Sequence, residues 1–92
     1  MPQLFRIGSY WVYFWSNEGN PLEPVHVHVS KGKPIENSTK IWITQTGKCL
    51  LCNNNSQIPP AALRNIMRIN EARSVDVVEK WKKYFGKSHY YC

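Results

Sequence analysis

The sequence predicts an α+β domain, with an antiparallel sheet of four to five strands in the N-terminal half packed on two C-terminal helices. Three observations predict it. Apolar residues alternate with period two as far as Cys52 and recur at helical spacing from Leu63 onward. The loops between the extended runs are too short for crossover helices, so the strands must pair antiparallel. The chain is 92 residues long, 42% hydrophobic and 13% aromatic, which suffices for one domain and leaves no room for two. The single domain divides into a strand-rich part (3–53), a helical part (58–86) and a short tail (87–92).

The elements follow in order. Leu4–Ile7 and Tyr10–Ser16 are extended runs around Gly8-Ser9, a hairpin signal with Gly leading the turn. Trp11, Tyr13 and Trp15 share one face of the second run, and Val12 and Phe14 the other. Asn17-Glu18-Gly19-Asn20-Pro21 is dense in turn formers and reads as a loop. Val25-His26-Val27-His28-Val29 alternates strictly, three valines one way and two histidines the other. A second loop, Ser30 to Thr39, contains Gly32 and Pro34. Lys40 to Thr44 alternates again, with Ile41 and Ile43 opposite Trp42 and Thr44. Gly47 marks a turn before a short strand, Lys48 to Cys52.

The helical part opens at Ser56 and Pro59-Pro60, a candidate cap followed by Pro in the first turn. Leu63, Ile66, Met67 and Asn70 form one stripe. Ser74 is a second cap candidate, and Asp76 falls in a first turn where the helix dipole favours an acid. Val77, Val78, Trp81 and Phe85 form the second stripe, and Gly86 is the stop. The residues between Glu71 and Ser74 either break the helix or bend it.

Composition excludes several classes. Four Trp, five Tyr and three Phe argue against a disordered chain. The longest apolar run, Tyr10 to Trp15, is far short of the roughly 20 residues of a membrane-spanning helix. No secretory signal is visible, so a cytoplasmic location with reduced thiols is expected. Three cysteines cannot all pair within the chain. Cys49 and Cys52 have CxxC spacing, but in an extended segment they face opposite ways, which makes them strand residues before zinc ligands. The formal charge is +6. Residues 1–47 carry four basic and three acidic side chains, residues 48–92 eight and three, so the excess lies on the helices and tail. Arg64 and Arg68, at i and i+4, are part of it. Such a surface either neutralises phosphates or is an ordinary solvated helix face.

His26-Val27-His28 carries the strongest chemical signal. On a strand the two imidazoles share a face about 7 Å apart, close enough to ligate one metal ion. A third ligand would have to come from Glu18, Glu23, His89 or a cysteine, and no spacing rule demands any of them. The same pair can act as general base and acid on a phosphodiester, with Arg6 stabilising the transition state. The plain alternative is that both merely share a half-exposed sheet face. That face, with Trp11, Tyr13, Trp15 and Trp42 beside the histidines, suits single-stranded RNA by stacking and charge. It equally suits a partner protein, because Trp, Tyr and Arg dominate interface hot spots.

The segments Phe5–Tyr10, Val12–Gly19, Glu23–Gly32, Lys40–Trp42 and Trp81–Gly86 together resemble a family of small bacterial and phage proteins, domain of unknown function 4160. The resemblance covers almost the whole chain. Arg6, Ser16, Glu18, His26, His28 and Trp42 match its pattern, the cysteines do not, and Val25 stands where many relatives have Pro. It implies a small stand-alone cytoplasmic protein, often encoded beside another small protein in a toxin–antitoxin-like arrangement, with no established reaction. The expected function is therefore that of a toxin–antitoxin-like component binding nucleic acid, RNA first, through the sheet face. His26, His28 and Arg6 are the catalytic candidates, in a metal-independent ribonuclease-like activity. Trp15, Trp42, Ser16, Glu18, Arg64 and Arg68 are the binding candidates. A small cognate protein is the alternative partner, without catalysis, and a metal-dependent hydrolase using His-x-His the second alternative. No cofactor, no bound metal and no membrane partner are expected.

Overall fold

The computed structural model describes residues 3–16 and 23–92. Five strands and two helices follow one another: β1 (Gln3–Ile7), β2 (Tyr10–Tyr13), β3 (His26–Lys31), β4 (Thr39–Ile43), β5 (Cys49–Asn53), α1 (Pro60–Ala72) and α2 (Ser74–Phe85). The strands form one antiparallel sheet in sequence order, β1-β2-β3-β4-β5. This is the α+β architecture that the two periodicities predict.

Local chemistry explains the joints. Gly8 has φ 59° while Ser9 stays at negative φ, which lets the two-residue β1–β2 turn follow the twist of its strands. Gly47 has φ 81°, and a Cβ there would lie 2.8 Å from Ser74 Oγ, so this turn needs glycine for space as well as for backbone. Pro60 opens α1 with no side-chain cap. Ser56 takes another role: its hydroxyl donates to Val29 O and accepts the Thr39 N–H, tying the post-β5 loop to the sheet. Ser74 is likewise not a cap; it is the first residue of α2, and Arg73 alone separates the helices. The Arg73 N–H donates to Ile69 O and the Val77 N–H to Arg73 O, so the joint bends the helical path without leaving those groups unpaired. Gly86 ends α2 in the left-handed conformation.

Register sorts the side chains. Val12 faces Val29 across β2–β3, Val27 faces Ile41 across β3–β4, and Ile43 faces Cys49 across β4–β5. These residues, with Phe14 and Val25, meet Ile66 of α1 and Val77 and Trp81 of α2 in one core. The other face carries Trp11, Tyr13, His26, His28, Lys40 and Trp42, with Tyr13 opposite His28 and His26 opposite Trp42. Alternation within the strands therefore predicts both faces.

It does not predict how deeply the second face is covered. Tyr13 and His26 are fully buried and His28 is 9% exposed, where a half-exposed sheet face was expected. Two irregular segments cover it, and Trp81 of α2 reaches His26 at the start of β3, 5.2 Å between ring centroids. The loop after β3 folds back so that the Tyr13 hydroxyl meets Ser38 Oγ at 2.6 Å, donates to Ile35 O and accepts the Ile35 N–H. The last residues return along the other end of the sheet, where the Val25 N–H donates to His89 O and the Gln45 N–H to Cys92 O. Among the described residues no helix is long and apolar enough to cross a membrane.

Candidate functional site

An open cleft of about 700 Å³ lies on the second face, between the end of β2, the loop after β3 and the end of β5. His28 and Lys40, adjacent across β3–β4, form its floor. Trp15 and Ser16 wall one side, Asn37 and Ser38 another, and Asn53 and Asn55 the third. Each is there for a local reason. Lys40 and Asn53 are register partners, so Asn53 reaches the floor's edge from β5. Asn37 sits at φ 56°, a left-handed conformation that asparagine tolerates, and it turns the loop back over the sheet. Asn54, between the two cleft asparagines, is structural: it accepts from Thr39 Oγ1 and the Ile58 N–H and donates to Ile58 O.

The site couples one ion pair to an aromatic run. Lys40 Nζ donates to Glu23 Oε1 at 2.7 Å, with the side chains 18% and 38% exposed. The same ammonium lies 4.4 Å from the Trp42 ring centroid. His28 stacks on Tyr13 at 5.8 Å, and Trp15 packs edge-on to Tyr13 at 5.3 Å. His26 meets His28 at 5.0 Å and nearly at right angles. Lys40 pairs with Glu23, and Glu36 also lines the cleft, so the described cleft residues bring no excess of positive charge. Indole, imidazole and amide groups make it a place for a flat polar ring and its hydroxyls rather than for a bare phosphate.

The structure places the described sequence-predicted residues in five positions. His28, Trp15 and Ser16 line the cleft together. His26 sits behind it, fully buried among Trp42, His28 and the α2 residue Trp81, with its Nδ1–H donating to Pro24 O at 2.9 Å. Trp42 is next to the cleft, under Tyr91. Arg6 lies away from the histidines on edge strand β1, its guanidinium 4.0 Å from the Trp11 ring. Arg64 and Arg68 are exposed on α1, in the layer behind the sheet, where Arg68 donates to Asn65 Oδ1. Glu18 lies outside the described residues. Glu23, weighed above as a metal ligand, is paired with Lys40, and among the described residues no three His, Cys, Asp or Glu side chains group to hold a metal. Cys49 is buried and Cys52 exposed, at a register shift in β5.

Lys40, Asn37, Ser38, Asn53 and Asn55 were not singled out from sequence. Lys40 was within reach: period two puts it on the Trp42 face, beside the histidines. The asparagines carry no periodic signal, because a loop places them. No curated protein and no solved structure matches the chain. A family model, described as a domain of unknown function (DUF4160), matches residues 9–82, a span that includes the sheet's buried histidine strand, the described cleft and most of both helices, so the chain belongs to that family.

Proposed function

We propose that the protein binds single-stranded RNA, as the nucleic-acid-binding component of a toxin–antitoxin-like pair, and that the cleft holds one nucleotide by its base and ribose. The observation that supports this most is the convergence of Trp15, His28, Lys40, Asn53 and Asn55 on one cleft of about 700 Å³. Volumes of roughly 300–1,000 Å³ suit small organic groups. A base stacks on Trp15 while the asparagine amides read its polar edge, and the phosphates run outside. Arg6 takes no part at this site. The proposed activity is binding: two-histidine acid–base chemistry needs both imidazoles within reach of one phosphodiester, and only His28 lines the cleft.

Fluorescence anisotropy with a labelled single-stranded RNA octamer, at several salt concentrations, tests this. Binding is expected at low salt, weakened about fivefold or more by Trp15→Ala and untouched by Arg6→Gln. Absence of binding at low salt, or a flat salt response, refutes it.

One observation favours a protein partner as well. Edge strand β5 exposes Leu50 and Leu51, at 42% and 43%, and beyond Cys49, whose N–H donates to Glu71 Oε2, an edge with apolar side chains is a template for another strand. Co-expression with the product of a neighbouring gene, followed by size-exclusion chromatography, tests it; separate elution removes the support.

A further inference from the structure

We propose that Trp42 is a second stacking subsite, for a nucleobase, and that Tyr91 of the C-terminal segment occupies it in the free protein and must leave before a base enters. This rests on the cleft being a nucleotide site. Tyr91 lies on Trp42 with ring centroids 4.8 Å apart and planes 3° from parallel. Every other described ring pair that contains a tryptophan is tilted by 55° or more, as packed aromatic side chains commonly are. The near-parallel stack is the arrangement a base adopts on an indole. Trp42 therefore offers a flat slot, and the chain's own tail fills it.

Two features make this occupant displaceable. Tyr91 is 62% exposed, so little surface is lost when its ring leaves. The Val25 N–H to His89 O bond (2.9 Å), the Gln45 N–H to Cys92 O bond (3.1 Å) and Tyr90, packed on the core, hold the segment around Tyr91, in place of a continuous ladder, so that the Tyr91 ring can leave while the segment stays anchored. Segments held by few bonds open at low cost relative to global unfolding. The slot also adjoins the cleft. Lys40 lies on the cleft floor with its ammonium 4.4 Å from the Trp42 centroid and 2.7 Å from Glu23 Oε1, so one side chain reaches both the slot and the cleft.

Two probes test the proposal separately from the cleft. Tryptophan fluorescence with adenosine monophosphate reads the slot, and anisotropy with the RNA octamer reads the whole site. Wild type is compared with Tyr91→Ala, Tyr91→Phe and Tyr91→Ala combined with Trp42→Ala. Removing one aromatic competitor should tighten adenosine monophosphate binding about twofold to tenfold in Tyr91→Ala. Tyr91→Phe, which keeps a stacking ring, should match wild type, and Trp42→Ala should cancel the gain. Equal affinity of wild type and Tyr91→Ala, no binding to Tyr91→Ala, or a gain that survives Trp42→Ala overturns the proposal. If the octamer binds and depends on Trp15 while the adenosine monophosphate gain is missing, the cleft stands and the slot falls. If the gain appears while the octamer does not bind, the slot stands and the RNA-binding function falls.

Discussion

The hydroxyl of Tyr13 holds the loop after β3 by three contacts at once, one to Ser38 and two to the Ile35 backbone. Tyr13→Phe keeps the ring and strands those partners, so it should cost about 1–3 kcal/mol, read as a lower urea midpoint with an unchanged slope. Its second effect falls on the cleft, because Asn37 and Ser38 belong to the released loop. Cys49 shows the other kind of residue effect. Burial first, and the nearby Glu71 carboxylate second, push its thiol from the ordinary 9.0 up to about 12. In a native thiol titration near pH 8, the exposed Cys52 and Cys92 should react promptly and Cys49 only after unfolding. The linkage has a definite sign. The unfolded thiol ionises near 9 while the folded one stays protonated, so this contribution to stability is intact below pH 9 and declines as pH rises toward 12. Denaturation midpoints across that range should fall more steeply for wild type than for Cys49→Ala.

At the scale of elements, what was legible depended on whether a periodic pattern carried it. Val25–Val29 alternates, and so the valine and histidine faces could be read directly; Val77, Val78, Trp81 and Phe85 recur at helical spacing, and so α2 could be. The burial of His26 could not, because its cover comes from Trp81 in α2 and from a single return of the chain near Val25, contacts that leave no local trace. Ser56 and Ser74 look like caps because serine commonly caps, yet one ties a loop to the sheet and the other sits against the Gly47 turn. Of the site, His28, Trp15 and Trp42 were legible from strand alternation and aromatic chemistry. The loop-borne Asn37 and Ser38 and the tail-borne Tyr91 were not. Trp81 tests how far the fold depends on one such long-range anchor. It is fully buried against Phe14, Phe85 and His26. Trp81→Ala should cost about 3–5 kcal/mol, a large part of the roughly 5–14 kcal/mol available to a domain of this length. Loss of a cooperative thermal transition, or a fall of many degrees in its midpoint, is the expected result.

At the scale of the whole molecule, the charge and the cleft lie apart. Of the +6, residues 48–92, which hold both helices and the tail, carry +5, while the cleft opens on the opposite face of the sheet, where Lys40 is paired with Glu23 and Glu36 also lines the cleft. If RNA occupies the cleft as proposed, Arg64 and Arg68 would act on it through the field and not by contact, across a body 19 Å in its thinnest extent. Screening separates the two modes. The Debye length is roughly 30 Å at 0.01 M salt and about 8 Å at 0.15 M, so a field from the far layer reaches the cleft in the first condition and is quenched in the second. Replacing both arginines by glutamine should weaken RNA-octamer binding at 0.01 M salt and leave it within about twofold at 0.15 M. Direct phosphate contact would give a different signature: loss at both salt concentrations, and a log–log salt slope shallower by about 1.4 for the two charges removed. Anisotropy titrations of wild type and the double variant at the two ends of that range decide between them, and the contact signature would move the RNA path from the sheet face to the helical layer.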